Sequence, residues 1–151
     1  MNCTAETPLR LLETLDHDTR PPRILLAEDD PELRSLIVEA LSDEGYEVDP
    51  VDSGLDLVTR IRESRLSGEG FDLVLSDVRM PGCSGLVALE VLRKDDWSTP
   101  ALFMTAFGSL ETHGEAQRLG ANVIDKPFDL DELLVRVRAL VPPNRYLDGW
   151  R

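Results

Sequence analysis

From Arg23 onward, apolar runs of about five residues alternate with amphipathic helical stretches, and this alternation constrains the fold more than any other feature. The first run, Ile24-Leu25-Leu26-Ala27, is apolar at every position. A strand with one wet face alternates polar and apolar side chains, whereas a strand dry on both faces belongs in a parallel sheet between two helix layers. Residues 71–76 and Ala101-Leu102-Phe103-Met104 read the same way, and shorter strands are expected at 46–48 and at Val123-Ile124. Strand-helix alternation requires right-handed crossovers, so the prediction is an α/β fold: a doubly wound parallel sheet of about five strands with helices on both faces. In such sheets ligands bind beyond the carboxyl ends of the strands, which makes each strand end a place to look for chemistry.

The intervening segments carry helix punctuation. Asp30 is placed to cap a helix with Pro31 at its first position, followed by Leu33, Leu36, Ile37, Ala40 and Leu41 at helical spacing, and Gly45 is placed to stop it. Asp52-Ser53-Gly54 leads into a helix through Leu55, Leu57, Val58 and Ile61, and residues 67–70 read as a turn. Met80-Pro81-Gly82 forces a turn before a helix over 86–93. A polar helix over 110–119 has only Leu110, Ala116 and Leu119 as its apolar stripe. Gly114 in its interior costs about 1 kcal/mol against alanine, so this helix should be loosely held. The last helix has Asp129 as its cap, a stripe of Leu130, Leu133, Leu134, Val137, Leu140 and Val141, and Arg136 and Arg138 near its negative end.

Composition excludes several jobs. The 151 residues carry 29 acidic and 16 basic side chains, a formal charge of −13. Such a surface repels phosphate backbones and anionic lipid, so cationic partners or metal ions fit better than nucleic acid. No stretch approaches the ~20 apolar residues of a membrane span, and the N-terminus lacks a secretory signal. Cys3 and Cys83 cannot form a disulfide framework, and with His17 and His113 they supply no zinc spacing; a reducing cytoplasm is expected. Three parts are expected: an extension over 1–22, flexible or a short helix through Leu9, Leu11, Leu12 and Leu15; a domain over 23–141; and a tail over 142–151, too short for an effector domain.

Four strand ends carry Glu28-Asp29, Asp77, Thr105 and Lys126, so the fold predicts acids, a hydroxyl and an amine converging on one patch. Carboxylates held within about 5 Å of one another repel by several kcal/mol per pair unless protons or cations intervene. Oxygen ligands without histidine or thiolate select Mg²⁺, which keeps positions open for water and phosphate oxygens. A carboxylate nucleophile flanked by Mg²⁺, a lysine and a hydroxyl is equipped for phosphoryl transfer, and Asp77 is the candidate nucleophile.

Glu28-Asp29, then Asp77-Val78-Arg79-Met80-Pro81-Gly82, then Thr105-Ala106, then Lys126-Pro127-Phe128 resembles the receiver domain of bacterial two-component response regulators, over about 23–141. The resemblance implies a flavodoxin-like (βα)5 fold with strand order 2-1-3-4-5. It further implies a domain that catalyses its own aspartyl phosphorylation and dephosphorylation, taking the phosphoryl group from a sensor histidine kinase or a histidine phosphotransfer protein. By the same resemblance Asp77 is the phosphoacceptor and, with Asp29 and the main-chain carbonyl of Arg79, a Mg²⁺ ligand. Glu28 acts through a metal-bound water, Lys126 pairs with Asp77 and then with the phosphoryl group, and Thr105 hydrogen-bonds a phosphoryl oxygen. The Lys126-Pro127 bond is expected to be cis. The output is an altered face that contacts a downstream protein, with no direct nucleic acid and no membrane insertion.

The sequence also departs from the family pattern. Gly120-Ala121 is followed by four residues before Lys126 where five are usual, and the usual aromatic switch residue is missing, with Val123 the nearest positional match. A shortened last strand or connection and an atypical output switch are therefore expected. Arg79 and Phe107 flank the path of the hydrolytic water in the family, and Phe107 has no group to orient it, which predicts slow loss of phosphate. The rival readings are a flavodoxin-like cofactor binder, whose phosphate Glu28-Asp29-Asp30 would repel, and a pseudo-receiver that keeps the fold without phosphorylation; a P-loop is absent. Plainer roles are expected for Asp30 as a cap, for Cys83 as a packed or solvent-facing thiol, for His17 and His113 as surface residues, and for Asp49, Asp52 and Asp56 as a solvated face.

Overall fold

The computed structural model describes residues 20–95, 97–106 and 110–143. Strands and helices alternate throughout: β1 (Arg23–Ala27), α1 (Pro31–Asp43), β2 (Glu47–Val51), α2 (Gly54–Ser67), β3 (Leu73–Asp77), α3 (Gly85–Lys94), β4 (Ala101–Ala106), α4 (Leu110–Arg118), β5 (Asn122–Lys126) and α5 (Leu130–Leu140). The five strands form one parallel sheet in the order β2-β1-β3-β4-β5, the flavodoxin-like arrangement.

The sheet divides the core in two, because successive strand residues face opposite sides. Leu25, Ala27, Val74 and Phe103 pack with Leu57 and Ile61 of α2, Leu89 and Leu92 of α3 and Ala116 of α4. Ile24, Leu26, Leu73, Leu75 and Met104 pack with Ile37 and Leu41 of α1 and Leu133 and Val137 of α5. This explains why residues 24–27 of β1 and 73–75 of β3 are unbroken apolar runs.

Helix α1 begins as its sequence requires: the Asp30 carboxylate accepts from the main-chain N–H groups of Glu32 and Leu33, with Pro31 in the first turn. It ends at Glu44, and Gly45 takes φ +99° to turn the chain back towards the sheet. Ser53 caps α2 and Ser84 caps α3, each hydroxyl accepting from a main-chain N–H three residues on.

Several expectations are corrected. Strand β2 runs to Val51 rather than ending at Val48, through Pro50; the missing N–H is tolerated because β2 pairs only with β1 and lies outermost. Strand β5 is longer than the brief Val123-Ile124 run, spanning five residues in register with β4 from Leu102↔Asn122 to Ala106↔Lys126, and residues 119–121 connect it to α4. Asp129 sits at the cap position of α5, but its side chain makes no capping hydrogen bond. Leu36 and Leu55 lie outside the buried stripes of α1 and α2, and Leu110 is 87% exposed, which leaves Ala116 as the buried side chain of α4. Asp49, on β2, accepts from Arg60 of α2 at 2.6 Å. Cys83 is partly buried against the α2–α3 side of the core.

Candidate functional site

The strand ends meet as the alternation requires. Strands β1 and β3 are neighbours, so Glu28, one residue past β1, and Asp77, the last residue of β3, lie side by side. Oxygens of Glu28, Asp29 and Asp77 all lie within 4.8 Å of one another. Glu28 is fully buried and Asp77 is 9% exposed, whereas Asp29 opens to solvent.

Lys126, at the end of β5, reaches over the end of β4 to this cluster. Its Nζ donates to Asp77 Oδ2 at 2.9 Å and to Glu28 Oε1 at 3.1 Å. Burial alone would lower the affinity of this amine for its proton, but the hydrogen bonds and charges of Asp77 and Glu28 outweigh it and hold the pKa above its ordinary 10.5. The Asp29 pKa is raised as well, which for a carboxyl disfavours the charged form. Burial, a side-chain hydrogen bond with Glu28 and the Glu28 charge together raise it above 3.8, against smaller pulls from its own backbone N–H and from Lys126. A carboxyl made reluctant to ionise beside two other acids is the donor chemistry a hard divalent cation relieves, so the residues present fit Mg²⁺.

Glu28 is clamped from every side. Its N–H donates to the Val51 carbonyl at 3.1 Å, its Oε2 accepts from the Asp30 N–H at 3.1 Å, and its main-chain carbonyl accepts from Arg34 Nη1 at 2.8 Å. Arg34, on the second turn of α1, was not singled out by sequence reasoning. An arginine there is an ordinary helix-surface residue until the turn from β1 into α1 brings the carbonyl beneath it.

Thr105 is buried near the end of β4, one residue beyond Met104, the in-register partner of Asp77. Strand β3 is drawn towards β4 past its own end, with the Val78 N–H donating to the Met104 carbonyl at 3.0 Å. Arg79, in the loop that follows, has an exposed side chain. Beyond that loop, a Cβ at Gly85 would run into the Asp77 carbonyl, so the start of α3 sits against the end of β3 in a way only glycine permits. The peptide bond between Lys126 and Pro127 is cis. Phe107 lies outside the described residues.

A second polar contact lies close by. His113 Nε2 of α4 donates to Asp125 Oδ1 of β5 at 2.7 Å, with both side chains about 40% exposed. The expectation of a plain surface histidine missed this pairing, which depends on how α4 lies across β5.

Residues 24–138 match the family model for the response regulator receiver domain. The transcriptional regulatory protein TcrA of Mycobacterium tuberculosis is 38% identical over 119 residues, covering 78% of this chain and 45% of that protein; the chain spans between a quarter and about half the length of the curated relatives it matches. Among solved structures, the non-phosphorylated HemR receiver domain from Leptospira biflexa superposes with a TM-score of 0.71 at 33% identity, covering 79% of this chain and 93% of that one. The chemotaxis protein CheY4 of Vibrio cholerae superposes with a TM-score of 0.72 at 27% identity, covering 81% of this chain and all of that one. No helix among the described residues is long and apolar enough to cross a membrane. The parallel sheet in the order 2-1-3-4-5, the acids and lysine gathered at its carboxyl end and the match over 24–138 together show that this chain belongs to the receiver-domain family of two-component response regulators.

Proposed function

We propose that the domain accepts a phosphoryl group on Asp77 from a phosphohistidine donor, either a sensor histidine kinase or a histidine phosphotransfer protein, and signals through a protein-contact face. The observation that carries this reading is the Lys126 bridge to both Asp77 and Glu28 beside the three-carboxylate cluster. A structural turn needs no such arrangement.

In the transfer, a carboxylate oxygen of Asp77 attacks phosphorus. The P–O bond forms as the P–N bond breaks, and the departing imidazole nitrogen keeps the electron pair and is protonated. Asp29, Asp77 and the Arg79 carbonyl would hold Mg²⁺, with Glu28 acting through a bound water, and the ion would supply positive charge against the oxygens of the transferring group. Glu28 suits that indirect role because both its oxygens already accept from Lys126 and the Asp30 N–H. Lys126 keeps Asp77 oriented before transfer and afterwards meets a phosphoryl oxygen. Thr105, buried at the neighbouring strand end, donates its hydroxyl to another. Phe107 offers no group to orient a hydrolytic water, so the phosphoryl group leaves slowly. On this reading the work is cytoplasmic and the downstream target is a protein.

Incubation with acetyl phosphate and Mg²⁺, read by intact mass, tests the proposal. The wild-type chain is expected to gain one phosphoryl group, and the Asp77→Asn variant or a chelator should abolish the gain. An unlabelled wild-type chain would favour a pseudo-receiver, an interaction module that keeps the fold without phosphorylation; the missing aromatic at Val123 is the feature that speaks for it.

A further inference from the structure

Helix α4 is shallowly seated. It buries Ala116, exposes Leu110 and carries Gly114 in its interior. Its carboxyl end is fixed, since Arg93 Nε of α3 donates to the Leu119 carbonyl at 3.1 Å and the same guanidinium donates to the carbonyls of Trp97 and Thr99. Nearer its amino end, His113 Nε2 donates to Asp125 Oδ1 at 2.7 Å.

Asp125 has two close ties to the candidate phosphoacceptor site. It is covalently next to Lys126, whose ammonium holds Asp77 and Glu28, and it pairs in register with Thr105 of β4. Its carboxylate shares a sheet face with Val123, which packs into the core on the α2–α3–α4 side. One two-residue piece of β5 thus touches the acid cluster through Lys126 and grips α4 through Asp125.

We infer that the His113–Asp125 hydrogen bond is a latch reporting the state of Asp77 to α4, in a chain with no aromatic at position 123 to do so. This rests on the reading of Asp77 as phosphoacceptor. When Lys126 and Thr105 turn to a phosphoryl group, Asp125 moves with them. A hydrogen bond of this length is lost when its partners separate by about 1 Å, so a small shift suffices. Released at its amino half and still pinned by Arg93, α4 pivots about its carboxyl end.

Hydrogen exchange of the α4 amides in the full chain tests the latch, with Mg²⁺ alone and with Mg²⁺ plus beryllium fluoride as a phosphoryl mimic. In the resting state His113→Ala and Asp125→Ala are each expected to speed exchange in α4 about tenfold, with the rest of the sheet unchanged. The mimic should speed α4 exchange in the wild type and add less than about twofold in either variant, because the latch is already open. Acetyl phosphate labelling of Asp77 should stay within about threefold of wild type in both, since neither residue touches the acceptor. The exchanged pair, His113→Asp with Asp125→His, should restore resting protection, which damage to the helix itself would not allow. Wild-type exchange rates in both single variants, or an equal response to the mimic in wild type and variants, would overturn the inference. A wild-type chain that takes neither acetyl phosphate nor the mimic overturns the phosphoacceptor reading instead, and the resting comparison still decides whether the pair holds α4.

Discussion

Burial and the neighbouring Glu28 hold the Asp29 carboxyl above its ordinary 3.8, so the folded chain binds that proton more tightly than the unfolded chain does. The consequence has a definite sign. The folded state binds more protons, so this group favours folding most at low pH, and stability declines as pH rises from 3.8 through the raised value. Asp29→Asn removes the charge and is expected to raise the melting midpoint at neutral pH without Mg²⁺, by about 2–4 °C for each 1 kcal/mol of repulsion relieved. It should also flatten the pH dependence in that window. Identical melting curves for wild type and variant at neutral pH would contradict the argument. Glu28, Asp29, Asp77, Thr105 and Lys126 were legible in the sequence because each ends or follows an apolar run, and parallel strands bring their carboxyl ends together whatever the loops do. The Arg34 hydrogen bond to Glu28 and the His113–Asp125 pair were not legible, because they depend on how far a helix is rotated and shifted over its strand. Neither helical spacing nor charge pattern encodes that.

Helix α3 owes its position to Gly85, where a side chain would collide with the Asp77 carbonyl, the Ser76 hydroxyl and the Phe103 ring at once. Gly85→Ala is expected to cost about 1–3 kcal/mol by denaturant unfolding, the usual penalty for overpacking, and to slow phosphorylation because the acceptor strand must give way. Unchanged stability would show that α3 moves off freely. Sequence reasoning placed this helix within a residue at each end, yet Gly85 passed unnoticed; its constraint comes from a strand eight residues earlier. Element ends also depended on context. Strand β2 was expected only at 46–48, but it has a neighbour on one side only and continues through Pro50 to Val51. Leu36, Leu55 and Leu110 fitted helical stripes on paper, while the sheet lies under only part of each stripe.

Across the whole molecule, a charge of −13 separates into a few placed groups and a solvated remainder. Exposed pairs such as Arg62–Asp95 and Arg138–Glu44 contribute about 0–1 kcal/mol each. Glu28 and Asp77 share the ammonium of Lys126 with Asp29 beside them, so a cation that bound the folded chain and not the unfolded one would relieve their repulsion. Mg²⁺ at a hundredfold excess over its dissociation constant is expected to stabilise the protein by about 2.7 kcal/mol. A chelator should reverse this, and Asp29→Asn should lose most of it; a melting midpoint indifferent to Mg²⁺ would count against a metal site.

The outermost position of β2 bears on self-association. The Glu47 N–H donates to the Pro22 carbonyl and the Val51 carbonyl accepts from the Glu28 N–H, so Glu47, Asp49 and Val51 turn their main-chain groups inward while Val48 and Pro50 turn theirs outward. Proline has no N–H to offer. An intruding strand that tried to extend the sheet beyond β2 would find a donor at Val48 and a blank at Pro50, with the charged side chains of Glu47 and Asp49 alongside. This open side of the sheet is thereby a poor template for aggregation.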